Sequence, residues 1–123
     1  MNKKILLIED DDFIRQLYAD TLRAAGIDVY DFPDGKSGLS ASKQQKFDLV
    51  LLDIMLPDIN GLEILKEIKQ DPGLKSIPVV LLTNLGQDTI IKEGFKLGAD
   101  AYLIKLAYNL DQIVAEVKNI LKI

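Results

Sequence analysis

The chain has 123 residues, and among them there is no histidine and no cysteine. Without cysteine it can form no disulfide, no thiolate nucleophile and no thiolate zinc site. Without histidine it has no imidazole general base, so neither a Ser-His-Asp triad nor a Cys-His pair can be assembled. Any chemistry must come from carboxylates, hydroxyls, amines and backbone groups. Long apolar runs are also missing. The opening MNKKILLIEDDD is too short for the apolar core of a signal peptide or for a membrane span, so a cytoplasmic protein that does not engage membrane is expected. Positive charge is in deficit, with 15 Lys and Arg against 19 Asp and Glu and a formal net charge of -4. That balance argues against a nucleic-acid-binding surface in this domain.

What is present suits one globular domain over residues 1–123. The composition is 48% hydrophobic and 28% charged, ordinary for a folded soluble protein. Five apolar runs, Lys4 to Ile8, Ile27 to Asp31, Phe47 to Leu52, Pro78 to Leu82 and Ala101 to Ile104, alternate with longer mixed segments, the β-α-β-α rhythm of an α/β fold. KILLI, FDLVLL and PVVLL are almost continuously apolar, as parallel strands covered on both faces must be, whereas IDVYD alternates and predicts an edge strand. Helical spacing of Phe13, Ile14, Leu17, Tyr18, Thr21, Leu22 and Ala25 predicts the first helix, and that of Leu110, Ile113, Val114, Val117, Ile120 and Leu121 the fifth. Leu62, Leu65 and Ile68 mark a third helix that begins at Asn60 as N-cap and stops at Asp71-Pro72-Gly73. A second helix, Asp34 to Lys43, follows from its position. A fourth, Gln87 to Leu97, holds poor helix formers including Gly94 and is expected to be the most mobile.

Four of the five apolar runs end in a chemically capable residue: Glu9 and Asp10, Asp53, Thr83 and Lys105. In a parallel sheet these ends share one edge, and ligands of open α/β folds bind there, where the strand order reverses. If the order is 2-1-3-4-5, the crevice lies between the first and third strands, and Glu9, Asp10 and Asp53 would converge there. Two like charges about 4 Å apart repel by roughly 4 kcal/mol at an effective dielectric of 20. A divalent cation relieves that cost, and an all-oxygen donor set suits Mg²⁺, Mn²⁺ or Ca²⁺. Each residue also has a plain structural use: acids as helix caps, Asp53 in a turn, Thr83 as a strand-end hydroxyl, Lys105 as a solvated charge. Their coincidence at equivalent strand ends favours a site.

At these residues the sequence resembles the receiver domains of two-component response regulators. ILLIEDDDFIR resembles the family's first strand and acidic pair, LVLLDIMLPDINGLE its phosphoacceptor segment, VVLLT its Thr/Ser strand and GADAYLIK its lysine strand, in that order along the chain. The resemblance implies a single doubly wound, flavodoxin-like, five-stranded parallel sheet of order 2-1-3-4-5 with five helices. It implies Asp53 as phosphoacceptor, and Glu9, Asp10 and the Met55 backbone carbonyl as ligands, with Asp53, of Mg²⁺ or Mn²⁺. Lys105 and Thr83 would hold phosphoryl oxygens, and Tyr102 would follow Thr83 as a switch aromatic, unless it is a plain edge-strand ring. Asp11 is either a further contributor or a cap. The implied partners are a sensor histidine kinase or histidine phosphotransfer protein and a downstream protein target, with the surface of helix four, strand five and helix five also a dimer face. Leu106 and Tyr108 near that face suggest a contact surface.

Two residues depart from the family's pattern. Proline normally follows the lysine in a cis peptide, but Leu106 stands here, and a cis bond before a non-proline residue costs about 2.5 to 4 kcal/mol. A trans bond and a shifted loop are therefore expected, which leaves the aim of Lys105 open. Asn84 stands where a small residue, commonly Ala, follows the Thr. Its bulk at the site's mouth is expected to slow phosphorylation or dephosphorylation relative to Asn84→Ala. The leading reading is a phosphorylation-dependent signalling switch rather than an enzyme. The alternative is a degenerate receiver that binds partners independently of phosphorylation. A haloacid-dehalogenase-type phosphatase normally carries a second Asp two positions after its nucleophile, where this chain has Met55. Whether the chain stands alone or belongs to a longer protein is left open.

Overall fold

The computed structural model describes residues 2–123. Five strands and five helices alternate: β1 (Lys4–Ile8), α1 (Asp12–Ala24), β2 (Asp28–Phe32), α2 (Gly35–Gln44), β3 (Leu49–Leu52), α3 (Gly61–Gln70), β4 (Val79–Thr83), α4 (Asp88–Lys96), β5 (Ala101–Ile104) and α5 (Leu110–Leu121). All strand pairs are parallel, and the order is β2-β1-β3-β4-β5. The apolar runs are good guides to strand existence and looser guides to strand ends. Pairing begins at Asp28 rather than Ile27, at Leu49 rather than Phe47 and at Val79 rather than Pro78. Pro78 has no N–H for a ladder, yet its carbonyl still accepts from Val50 N at 2.9 Å.

Alternation along the strands divides the apolar side chains between two cores. Ile5, Leu7 and Leu51 face α1 and α5 and meet Leu22, Ile113 and Val117, while Leu6, Ile8, Val50 and Leu52 face the other helices and meet Ile64, Leu65 and Ile68. Burying each such side chain stabilises the fold by about 1.5 to 3 kcal/mol. The edge strand predicted from IDVYD is indeed outermost, and Asp28 and Tyr30 on it are exposed.

The second helix gives little apolar periodicity because it buries small residues, Gly35, Gly38, Ala41 and Ser42. A Cβ on Gly38 would collide with the Ile8 side chain, so the helix lies close against β1 only because that position is glycine. Gly94 has the same use in α4. A Cβ there would stand 2.8 Å from Leu81 Cδ1 and 3.4 Å from the Tyr102 ring, so the residue that weakens the helix also lets it approach β4 and β5. The longest helix, α1, has 13 residues, and among the described residues no helix is long and apolar enough to cross a membrane.

Candidate functional site

The site forms where β1 and β3 end side by side. Ile8 pairs with Leu52, and the next residues, Glu9 and Asp53, are carried in register onto the C-terminal edge. Their backbones remain tied to neighbouring strands: Asp53 N donates to Ile8 O at 3.0 Å and Glu9 N to Phe32 O at 3.1 Å. Both carboxylates are buried, at 2% exposure for Glu9 and 5% for Asp53. Buried acids need partners. Glu9 Oε2 accepts from Asp11 N at 3.1 Å, and Asp53 Oδ1 accepts from Met55 N at 3.3 Å. The other oxygens share one ammonium group, with Lys105 Nζ 2.5 Å from Glu9 Oε1 and 2.7 Å from Asp53 Oδ2.

Electrostatics follow from this arrangement. Burial pushes the Glu9 carboxyl above its ordinary range, while Lys105 pulls the other way. Burial alone would lower Lys105, but its hydrogen bonds to Asp53 and Glu9 outweigh that, and its pKa is raised. The lysine is therefore a fixed positive charge. Asp10, exposed beside them, completes a group in which Glu9, Asp10 and Asp53 each offer an oxygen within 4.8 Å of the others. Three carboxylates against one ammonium leave a charge deficit that a divalent cation matches. Oxygen donors alone, one of them open to solvent, fit a hard ion that keeps several waters.

The opposite side of the crevice is built by β4 and β5. Thr83, the last residue of β4, is 1% exposed, and its Oγ1 accepts from Leu85 N at 3.4 Å. Tyr102 OH donates to the Leu85 carbonyl at 2.5 Å. Thr83 and Tyr102 thus hold the same residue of the β4–α4 loop, one by its N–H and one by its carbonyl. After β5 the chain enters a 3₁₀ turn over Lys105–Ala107. No described peptide is cis, so the Lys105–Leu106 bond is trans, as expected for a non-proline residue. The aim of Lys105, left open by that departure, is toward the acids: its Nζ reaches both Glu9 and Asp53.

The structure therefore brings Glu9, Asp10, Asp53 and Lys105 together, sets Met55 against Asp53 through its N–H, and links Thr83 to Tyr102 through Leu85. Asp11 is a cap: its Oδ1 accepts from Ile14 N at 2.9 Å at the start of α1. Sequence reasoning missed Arg15. Its Nη1 donates to the Glu9 carbonyl at 2.9 Å, and its Nε and Nη2 bind Asp31 at 3.1 Å and Asp12 at 2.7 Å. Only the i, i+3 spacing to Asp12 hinted at it. It also missed Asp58 in the β3–α3 loop, whose two oxygens accept from Gly35 N and Lys36 N at 2.8 Å each. No local pattern announces a partner 22 residues away.

A family model described as the response regulator receiver domain matches residues 5–118, and the chain belongs to that family. Receiver domains are regulatory phosphoacceptor domains of two-component systems rather than enzymes in the ordinary sense, and they bind Mg²⁺ at an acidic pocket. Among curated proteins, the chain is 37% identical over 119 residues to the DNA-binding dual master transcriptional regulator RpaA of Synechocystis, covering 97% of this chain and 49% of the relative. It is 35% identical over 122 residues to the alkaline phosphatase synthesis transcriptional regulatory protein PhoP of Bacillus subtilis, covering 99% and 51%. The chain thus spans about half the length of these curated relatives. Among solved structures, the chemotaxis protein CheY4 of Vibrio cholerae superposes with a TM-score of 0.91 at 27% identity, over 98% of this chain and 99% of that one.

Proposed function

We propose that this receiver domain is a phosphorylation-dependent switch that takes a phosphoryl group on Asp53. The observation that carries the reading is the buried Asp53 carboxylate with Lys105 Nζ 2.7 Å away and two further carboxylates beside it. The donor is a phosphohistidine on a sensor histidine kinase or phosphotransfer protein, which provides the imidazole this chain lacks. An Asp53 oxygen attacks phosphorus, the P–N bond breaks, and the imidazole leaves with that electron pair and takes up a proton. Glu9, Asp10 and Asp53, with the Met55 backbone carbonyl, would hold Mg²⁺ or Mn²⁺, which would supply positive charge to offset that on the transferring oxygens. Lys105 turns from the two carboxylates to a phosphoryl oxygen, and the Thr83 hydroxyl donates to another. The aspartyl phosphate adds roughly 1.5 to 2 negative charges to the site.

Leu85 supports the way the signal leaves the site, since Thr83 and Tyr102 both hold it. A move of Thr83 toward phosphate loosens its bond to Leu85, shifts the β4–α4 loop and releases Tyr102. The readout is the surface of α4, β5 and α5, to which a downstream protein binds and through which two copies pair. On this reading the domain works in the cytoplasm and binds no nucleic acid itself. Incubation with acetyl phosphate and Mg²⁺ should add one phosphoryl mass to the wild type and none to Asp53→Asn. No added mass with this donor or with phosphoramidate sinks the reading. Partner binding that is unchanged by Asp53→Asn would instead mark a phosphorylation-independent interaction module.

A further inference from the structure

Asn84 and Leu106 are far apart in sequence, yet they meet at the end of the sheet. β4 and β5 pair as far as Thr83 with Ile104, and the β4 backbone then leaves the ladder toward Leu85. Beyond that last pair, the Asn84 side-chain oxygen accepts from Leu106 N at 3.1 Å. The amide of Asn84 thus supplies one more rung after the backbone of β4 has turned away. Leu106 is the middle residue of the Lys105–Ala107 turn, its side chain is 88% exposed, and no packing of that side chain holds the turn in place. The bond to Asn84 falls on the residue that directly follows Lys105 in the chain.

We infer that Asn84 is a positioning residue: by accepting from Leu106 N–H it fixes the turn after β5 and so holds the Lys105 ammonium over Asp53. The inference rests on the reading of Asp53 as phosphoacceptor, and it gives Asn84 a role opposite to steric obstruction. The side-chain oxygen faces the turn, where it orders the lysine. A leucine at position 106 can be held this way because it has an N–H to give. The same tie joins the turn to the strand whose last residue is Thr83, so the two residues that reach for phosphoryl oxygens are braced against each other. A net hydrogen bond of ordinary strength is worth about a fivefold change in the equilibrium constant between the ordered and the loosened turn.

The test compares wild type with Asn84→Ala, Asn84→Leu and Asn84→Asp, all exposed substitutions that leave the core untouched. Phosphorylation by acetyl phosphate with Mg²⁺ should slow by up to about fivefold in Asn84→Ala and in Asn84→Leu, which keeps bulk but loses the acceptor. Leu106 amide hydrogen exchange, followed by NMR without donor or metal, should speed up by a similar factor in both. It should stay at the wild-type rate in Asn84→Asp, which keeps the oxygen. Faster phosphorylation in Asn84→Ala with no change in Asn84→Leu would assign Asn84 to obstruction and overturn the proposal. Leu106 exchange that is unchanged by loss of the acceptor would overturn it as well. If the wild type takes no phosphoryl group at all, the phosphoacceptor reading fails, and the exchange measurement still decides whether the tie orders the turn.

Discussion

Helices α3 and α4 follow neighbouring strands, have 10 and 9 residues, and pack on the same face of the sheet, but they are held very differently. α3 buries Ile64, Leu65 and Ile68, and its first turn is capped by Asn60 Oδ1, which accepts from Leu62 N at 2.8 Å. In its last turn Lys69 Nζ donates to the Ile77 carbonyl at 2.8 Å and meets Asp100 at 3.2 Å. α4 fully buries only Gly94, and the side chain of its N-cap residue, Gln87, makes no capping bond. Large buried side chains and closed caps resist local opening, whereas a helix without them opens at low cost. The helix after Asp53 is thus built to stay, and the helix after Thr83 is built to yield. The proposed switch would use both, a site that holds its geometry and a surface that moves.

The sharpest way to break this contrast is to cut one isoleucine from each helix. Ile64→Ala should destabilise the domain by about 3 kcal/mol, because the side chain is fully buried. Ile90→Ala, at a partly buried position, should cost about 1 kcal/mol. Urea unfolding of the two variants checks this, and equal losses would mean that α4 is anchored as firmly as α3. Caps give a smaller effect of the same kind. Asn60→Ala should cost about 1 kcal/mol, while Gln87→Ser, which supplies the missing acceptor, should stabilise by about 0.5 kcal/mol. Slower amide exchange confined to α4 in Gln87→Ser would sharpen the comparison.

The smallest effect is a pH dependence in the loop leading to α3. Desolvation tends to raise the Asp58 carboxyl, but hydrogen bonds from Lys36 and Gly35 N–H overcome it and hold the group below its ordinary 3.8. A carboxyl lowered on folding contributes stability that is present above its unfolded value and is lost as pH falls through the folded one. The stability gap between wild type and Asp58→Asn should therefore be constant near neutrality and close only in acid below 3.8. Parallel unfolding curves at pH 7 and pH 3 measure it, and a gap that is undiminished at the lower pH would remove Asp58 as a charged clamp.

How far the site could be read from residues alone depended on the range of each interaction. Glu9, Asp10, Asp53, Thr83 and Lys105 stand at the ends of apolar runs, so strand recognition was enough to put them on one edge. Asn60 was legible as a cap because a cap and its target are neighbours in sequence. The small-residue face of α2 carries no apolar stripe, so its helix followed only from position. Gly94 read as a defect, since the side chains of Leu81 and Tyr102 that require it lie on other strands. Asn84 and Leu106 each read as a departure from a pattern, and only their meeting across β4 and β5 turns two irregularities into one bond.

Absence of histidine and cysteine, an alternation of apolar runs with amphipathic segments, and acids, a hydroxyl and an amine at the run ends are properties of the sequence by itself. They determined the α/β class and limited the chemistry to carboxylate, hydroxyl and ammonium groups, because periodicity and residue type are local facts. Tertiary structure decided which charges share Lys105, that Arg15 holds the Glu9 carbonyl, and that Leu85 joins Thr83 to Tyr102. Those contacts join elements that are distant in the chain, and their geometry exists only after the strands have taken their places in the sheet.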